Sequence, residues 1–192
     1  MMRTTAPGQS ALLLLDVVEL LQKRRIPYAV VGAFAASFYG MVRASLDADA
    51  VISLRTPQER DDLCRDLKEQ GLKVERRVGD AEDPIAAVIH VGDRFHNRVD
   101  LLIGIRGMTD GVFLRLEQTQ FMGCSLNMIG LEDFIAMKMF AGSPKDIRDV
   151  IGVLEVSKDK IKAGLLEDLS ALYGNECTTR LQALLKEYPL KE

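Results

Sequence analysis

Apolar side chains recur at helical spacing in the first patterned stretch, "SALLLLDVVELLQ", where Leu13, Val17, Leu20 and Leu21 share one face. The pattern predicts a helix capped by Ser10 and finished before Pro27, whose ring opposes continuation. "YAVVG" is short and apolar and predicts a buried strand, after which Gly32 to Gly40 returns to helical spacing. Ala33, Phe34 and Ala36 give that second helix a small or apolar surface that can sit close against a sheet. "DADAVIS" predicts a second strand. Thr56, Pro57 and Glu59 then spell a capping box with proline at the first helical position, opening a helix that runs to about Gln70 before Gly71.

Three more strands follow, "LKVERRV", "IAAVIHV" and "NRVDLLIG", parted by the turn-rich "GDAEDP" and "GDRFH". Beyond Met108 the pattern is mainly helical, interrupted by a hairpin around "QFMGCSLNMIG" with Gly123 and Gly130 as brackets. "LEDFIAMKMFAG" predicts an amphipathic helix, and "SPKDIRDVIGVLEV" predicts another with Ser143 as cap and Pro144 at its first position. Two further helices follow from Ile161, Leu165, Leu169 and Leu172, and from Leu181, Leu184, Leu185 and Tyr188, divided by Gly174 and Asn175. Strands gather between residues 28 and 129 and helices after them. That segregation predicts an α+β fold, a core over 1–130 with a helical C-terminal part, 131–192, packed on it.

Length and charge narrow the picture only a little. A chain of 192 residues can bury a substantial core without disulfides, and 25 basic against 28 acidic side chains, net −3, neither demand nor forbid a nucleic-acid partner. Cys64, Cys124 and Cys177 are too scattered for a disulfide framework or a zinc site, which fits a reducing cytoplasm. Asp16 and Glu19 interrupt the N-terminal apolar run, so it reads as a core helix and not a leader. No apolar run approaches the roughly 18 residues that span a bilayer, and the expectation is a cytoplasmic chain with no membrane partner.

The chemistry begins with Asp47 and Asp49. Residues two apart in a strand point to the same side, so both carboxylates share one face while Ala48 and Ala50 share the other. Like charges so placed repel, and a divalent cation relieves that repulsion. Magnesium takes hard oxygen ligands, and two-ion sites for displacement at phosphorus commonly add a third carboxylate. Asp100, which interrupts an apolar strand between Val99 and Leu101, is the candidate. The alternative is that Asp47 and Asp49 are polar residues at a solvated strand edge.

Gly32 and Ala33 after a strand, a short helix, and then Arg43, Ser45, Asp47 and Asp49 resemble the Gly-Gly or Gly-Ser and Arg-x-Thr-x-Asp-x-Asp pattern of nucleotidyltransferases of the DNA polymerase β superfamily. The similarity is greatest to the AbiEii-like toxin branch and its minimal relatives. Downstream, "MKMFAGSPKDIRDV" resembles the family's lysine helix and Ala-Gly-Arg-x-Lys-Asp-x-x-Asp segment, with Lys138, Lys145, Asp146 and Asp149 in the matching positions. Ala33 stands where a second glycine or serine is usual, and Ser143 where an arginine is usual.

The resemblance implies a nucleotidyltransferase fold, a mixed sheet flanked by helices, that moves an NMP from an NTP to a hydroxyl acceptor. It implies two Mg²⁺ ions on Asp47, Asp49 and Asp100, with Asp100 also helping to activate the acceptor. Gly32, Ala33, Arg43, Ser45, Lys138, Asp146 and Asp149 would form the nucleotide side. Backbone N–H groups at the helix start would cradle phosphate, Arg43 and Lys138 would neutralise the triphosphate, and Asp146 and Asp149 would orient them. On the residues alone, Lys138 reads equally as a solvated lysine, and Asp146 and Asp149 as surface partners of Lys145 and Arg148. Relatives of this kind act on tRNA ends or proteins, or serve as toxins held by an antitoxin protein. The other readings are a catalytically weakened nucleotide- or partner-binding regulator and a Mg²⁺-dependent phosphohydrolase. The basic clusters Lys23, Arg24, Arg25 and Lys73, Arg76, Arg77 are candidate RNA contacts. His90 and His96 show no partner in the sequence and carry no assigned role.

Overall fold

The alternation in "DADAVI" produces the strand on which the molecule is organised. A computed structural model describes residues 2–190. In chain order the elements are α1 (Ser10–Lys23), β1 (Tyr28–Val30), α2 (Gly32–Phe38), β2 (Asp47–Ile52), α3 (Pro57–Glu69), β3 (Lys73–Val78), β4 (Ile85–Gly92) and β5 (Arg98–Ile105). Then come β6 (Glu117–Phe121), β7 (Cys124–Met128), α4 (Leu131–Ala141), α5 (Pro144–Ser157), α6 (Ala163–Leu172) and α7 (Asn175–Glu187). Seven strands form one mixed sheet in the order β3-β4-β5-β2-β1-β7-β6, in which β2 with β5 and β1 with β7 are parallel and the other pairs antiparallel. The fold is α+β, with helices on both sides of the sheet.

Strand β2 lies inside the sheet, between β5 and β1, so its aspartates are not at an edge. Ala48 and Ala50 are buried on one face with their register partners Val99 and Leu101, and α1 packs there. Gln22 of α1 donates to the Tyr28 hydroxyl at 3.0 Å on the same side. Helix α3 closes this layer beside β3, opened by the capping box in which Thr56 Oγ1 accepts from Glu59 N at 3.1 Å. The opposite face presents Asp47 and Asp49. Small residues let α2 lie against β2 there, with Ala33, Ala35 and Ala36 buried.

Three local expectations change. Ser10 is the first helical residue and not the cap: its hydroxyl donates to Leu46 O at 2.6 Å and accepts from Arg98 N at 3.0 Å, tying α1 to the strands that carry the aspartates. Gly123 does not bracket the hairpin but forms its turn with Met122, both at positive φ (79° and 50°), the geometry that joins two twisted strands in two residues. Helix α4 is not amphipathic in its setting. From Leu131 to Met139 every residue is buried, enclosed by α5, α6 and α7.

The polar residues of α4 are therefore satisfied inside the protein. Glu132 accepts from Lys162 N at 2.8 Å, and Asp133 takes the fork of Arg115, with both bonds at 2.7 Å. Tyr39 donates to Ile129 O at 2.6 Å and accepts at its own carbonyl from Ser157 Oγ at 2.9 Å, which links the end of α2 to the start of α4 and the end of α5. These bonds bring the second half of the chain against the face that carries Asp49. Among the described residues no helix is long and apolar enough to cross a membrane.

Candidate active site

Parallel pairing sets Asp47 opposite Arg98 and Asp49 opposite Asp100, so the alternation of both strands delivers all three aspartates to one face. Each of Asp47, Asp49 and Asp100 offers a carboxylate oxygen within 4.8 Å of the others. The row continues in register through His90 on β4 to Glu75 on β3.

Gly32 brings the turn before α2 against these carboxylates. Its φ is +63°, and a side chain there would collide with the Asp49 carboxylate, so glycine is needed on two counts. The turn is pinned by Val31 N donating to Asp49 O at 2.9 Å. Ser45 donates to Asp47 Oδ1 at 2.7 Å and orients it. Asp49 is pushed up to about 6, first by burial and then by the charges of Asp47 and Asp100, against the opposing pull of Lys138 and Lys145. Three hard oxygen donors, one of them raised above its ordinary ionisation by burial and by its neighbours' charge, are the donor set that a divalent cation such as Mg²⁺ fits.

The cations that resemblance assigned to the nucleotide side form a connected network. Arg43 lays its fork on Asp149, Nε to Oδ1 at 2.7 Å and Nη2 to Oδ2 at 3.1 Å. Lys138 Nζ lies 2.9 Å from the same Asp149 and 2.6 Å from Asp146. Asp146 also accepts from Ser143, the residue that caps α5. Lys138 is 7% exposed and Asp149 1%, so neither is a solvated surface residue. Burial acts to raise the Asp149 carboxyl, but Arg43 and Lys138 outweigh it and hold it below the usual carboxylate range. Asp149 thus pairs with both Arg43 and Lys138, and Asp146 with Lys138. Lys145 is exposed in the first turn of α5, and Arg148 turns back to Pro144 O at 3.2 Å.

Two residues without an assigned role join the site. Arg98 grips Asp100 with a planar fork, Nε to Oδ1 and Nη2 to Oδ2, both at 2.7 Å. His90 Nδ1 lies 2.8 Å from Asp100 Oδ1 and 2.8 Å from Arg98 Nη2. The signal for Arg98 was available, since it stands two residues before Asp100 in the same strand. His90 required the antiparallel register of β4 with β5, which no local pattern contains. His96 instead occupies a left-handed position, φ 64°, in the turn between those strands.

The architecture is the nucleotidyltransferase fold, here with three aspartates converging at the α2 turn. Among solved structures the chain is similar to an antigenic nucleotidyltransferase-like protein from Paracoccidioides brasiliensis, at 17% identity and a TM-score of 0.59, covering 97% of this chain and 92% of that one. It is also similar to ANT(2″)-Ia in complex with adenylyl-2″-tobramycin, at 15% identity and a TM-score of 0.56, covering 84% and 94% of the two chains. The lincosamide antibiotic adenylyltransferase LnuA, lincomycin-bound, matches at 12% identity and a TM-score of 0.51, over 80% of this chain and all of that one. No protein-family model and no curated protein sequence matches the chain.

Proposed function

We propose that this protein is a nucleotidyltransferase that moves an NMP from an NTP to a hydroxyl acceptor with release of pyrophosphate. The observation that carries this reading is the convergence of Asp47, Asp49 and Asp100 on one sheet face beside the Gly32 turn. Mg²⁺ held by these carboxylates would supply electrostatic stabilisation of the charge that develops at the α-phosphoryl group.

The chain's own residues do the rest. Ser45 holds Asp47 in one orientation, and the turn at Gly32 and Ala33 lets the triphosphate approach the backbone. Asp149 and Asp146 fix Arg43 and Lys138 in place, and exposed Lys145 adds a cation, unpaired among the described residues, toward solvent, where the β- and γ-phosphates would lie. Asp100 receives the proton of the attacking hydroxyl as the new phosphoester bond forms and the bond to pyrophosphate breaks.

A small hydroxylated molecule is the acceptor that the charge distribution favours. A tRNA end would need a cationic track, yet three of the six cations in the two basic clusters face carboxylates: Arg24 pairs with Asp66, Arg76 with Asp61, and Arg77 lies 3.6 Å from Asp83. The Arg24 cluster also ends α1, on the sheet face opposite the carboxylates. The adenylylated antibiotic bound to ANT(2″)-Ia shows that the same fold can serve a small acceptor. A protein acceptor, and with it a toxin role under the control of an antitoxin, is the competing outcome.

Pyrophosphate release tests the proposal, measured with each of the four NTPs in Mg²⁺ against a panel of polyhydroxylated small molecules, tRNA and bulk protein. The expected result is release that needs a small acceptor and falls at least a hundredfold in Asp49→Asn. Acceptor-independent release of inorganic phosphate or NMP would mark a phosphohydrolase instead, and no turnover despite nucleotide binding would mark a regulator.

A further inference from the structure

Asp100 is already loaded with a cation. Both of its oxygens accept from the Arg98 fork, whereas Asp47 and Asp49 have no ion-pair partner among the described residues. We propose that Arg98 is the resident counter-cation of Asp100 and the competitor that a divalent ion must displace there, so that this side chain sets the ion affinity of the site. The inference rests on the nucleotidyl-transfer reading for the identity of the ion site and adds to it a residue that controls loading.

Three features make the displacement feasible. The Arg98 side chain is half exposed, so its guanidinium can turn into water without crossing a packed region. Arg98 is two residues from Asp100 in β5, so the same tether that delivers it to the carboxylate returns it when the ion leaves.

His90 offers the third feature, a second arrangement for the carboxylate. Its Nδ1 is 2.8 Å from both Arg98 Nη2 and Asp100 Oδ1, and one ring nitrogen can accept from the arginine or donate to the aspartate but not do both. In the Nε2–H tautomer, Nδ1 accepts from Arg98. With Arg98 turned away, Nδ1–H donates to Oδ1 and keeps Asp100 oriented, leaving its other oxygen for the ion. Arg98 and His90 line a cavity of about 360 Å³ with Lys73 and Glu75, and the released guanidinium has that space to enter.

A titration of the nucleotide-free protein with Mn²⁺, followed by the electron paramagnetic resonance signal of the free ion, reads this directly. Arg98→Ala is expected to bind Mn²⁺ at least tenfold more tightly than the native chain, or to take up one further equivalent. Arg98→Lys keeps the charge but loses the fork and should fall between the two. An unchanged or weakened affinity in Arg98→Ala, with native circular dichroism and melting, would overturn the proposal and make Arg98 a holder of Asp100. Should Arg98→Ala fail to fold, Arg98→Gln carries the same expectation of sign. Failure of the underlying site reading looks different: neither chain binds Mn²⁺, or Asp49→Asn leaves native binding unchanged.

Discussion

Asp49 concentrates the electrostatic cost of the site. Its carboxyl is raised to about 6 while an unfolded aspartate ionises near 4, so between those values the folded chain holds a proton that the unfolded chain has released. Stability from this group is therefore present at pH 4 and lost as pH rises through 6, amounting to about 3 kcal/mol at most. In EDTA, the urea midpoint of the native chain should fall across that window relative to Asp49→Asn, which keeps the shape without the charge. Parallel pH profiles of the two chains would contradict this account. At this scale the alternation rule made Asp47, Asp49 and Asp100 legible, because each interrupts an apolar strand. The same rule applied to Arg98, whose neighbours Asn97 and Val99 gave no comparable contrast. Lys138 and Asp149 stayed ambiguous because their partner Arg43 lies on a distant loop, and only folding reveals that the three meet.

At the scale of elements, the turn into α2 does the most for the site. A glycine after a strand and before a short helix was readable as a motif, while its reason, the close approach of Asp49, comes from the pairing of β2 with β1. Gly32→Ala should cost about 1–3 kcal/mol, from a left-handed residue made to carry a side chain. It should also weaken Mn²⁺ binding at least tenfold by pushing the Asp49 carboxylate aside. A Gly32→Ala chain that retains native stability and ion affinity would show that the approach is unimportant. The amphipathic reading of α4 fails because Glu132, Asp133 and Lys138 lie about 100° or more apart around the helix and form no solvent stripe, and each is paired within the protein. Periodicity distinguishes apolar from polar positions and not exposed from internally satisfied ones. The capping box at Thr56 and the side-chain cap at Ser143 were legible because their bonds are local.

Across the whole molecule, the sheet order accounts for the division of labour. Consecutive strands β3, β4 and β5 form a meander, but β2 inserts between β5 and β1, placing the carboxylates inside the sheet beside helices from the second half of the chain. The α+β class followed from segregated patterns, while the parallel pairing of β2 with β5 did not, because nothing local specifies which non-consecutive strands meet. The proposed function requires these elements to assemble an ion-dependent nucleotide site. Calorimetric titration with nonhydrolysable NTPs, with and without Mg²⁺, on the native chain and on the double variant Asp47→Asn, Asp49→Asn tests it most directly. The expected result is micromolar binding of at least one NTP by the native chain, dependent on Mg²⁺ and lost in the variant. Binding that persists without Mg²⁺ or in the variant, or no binding of any NTP, would contradict it.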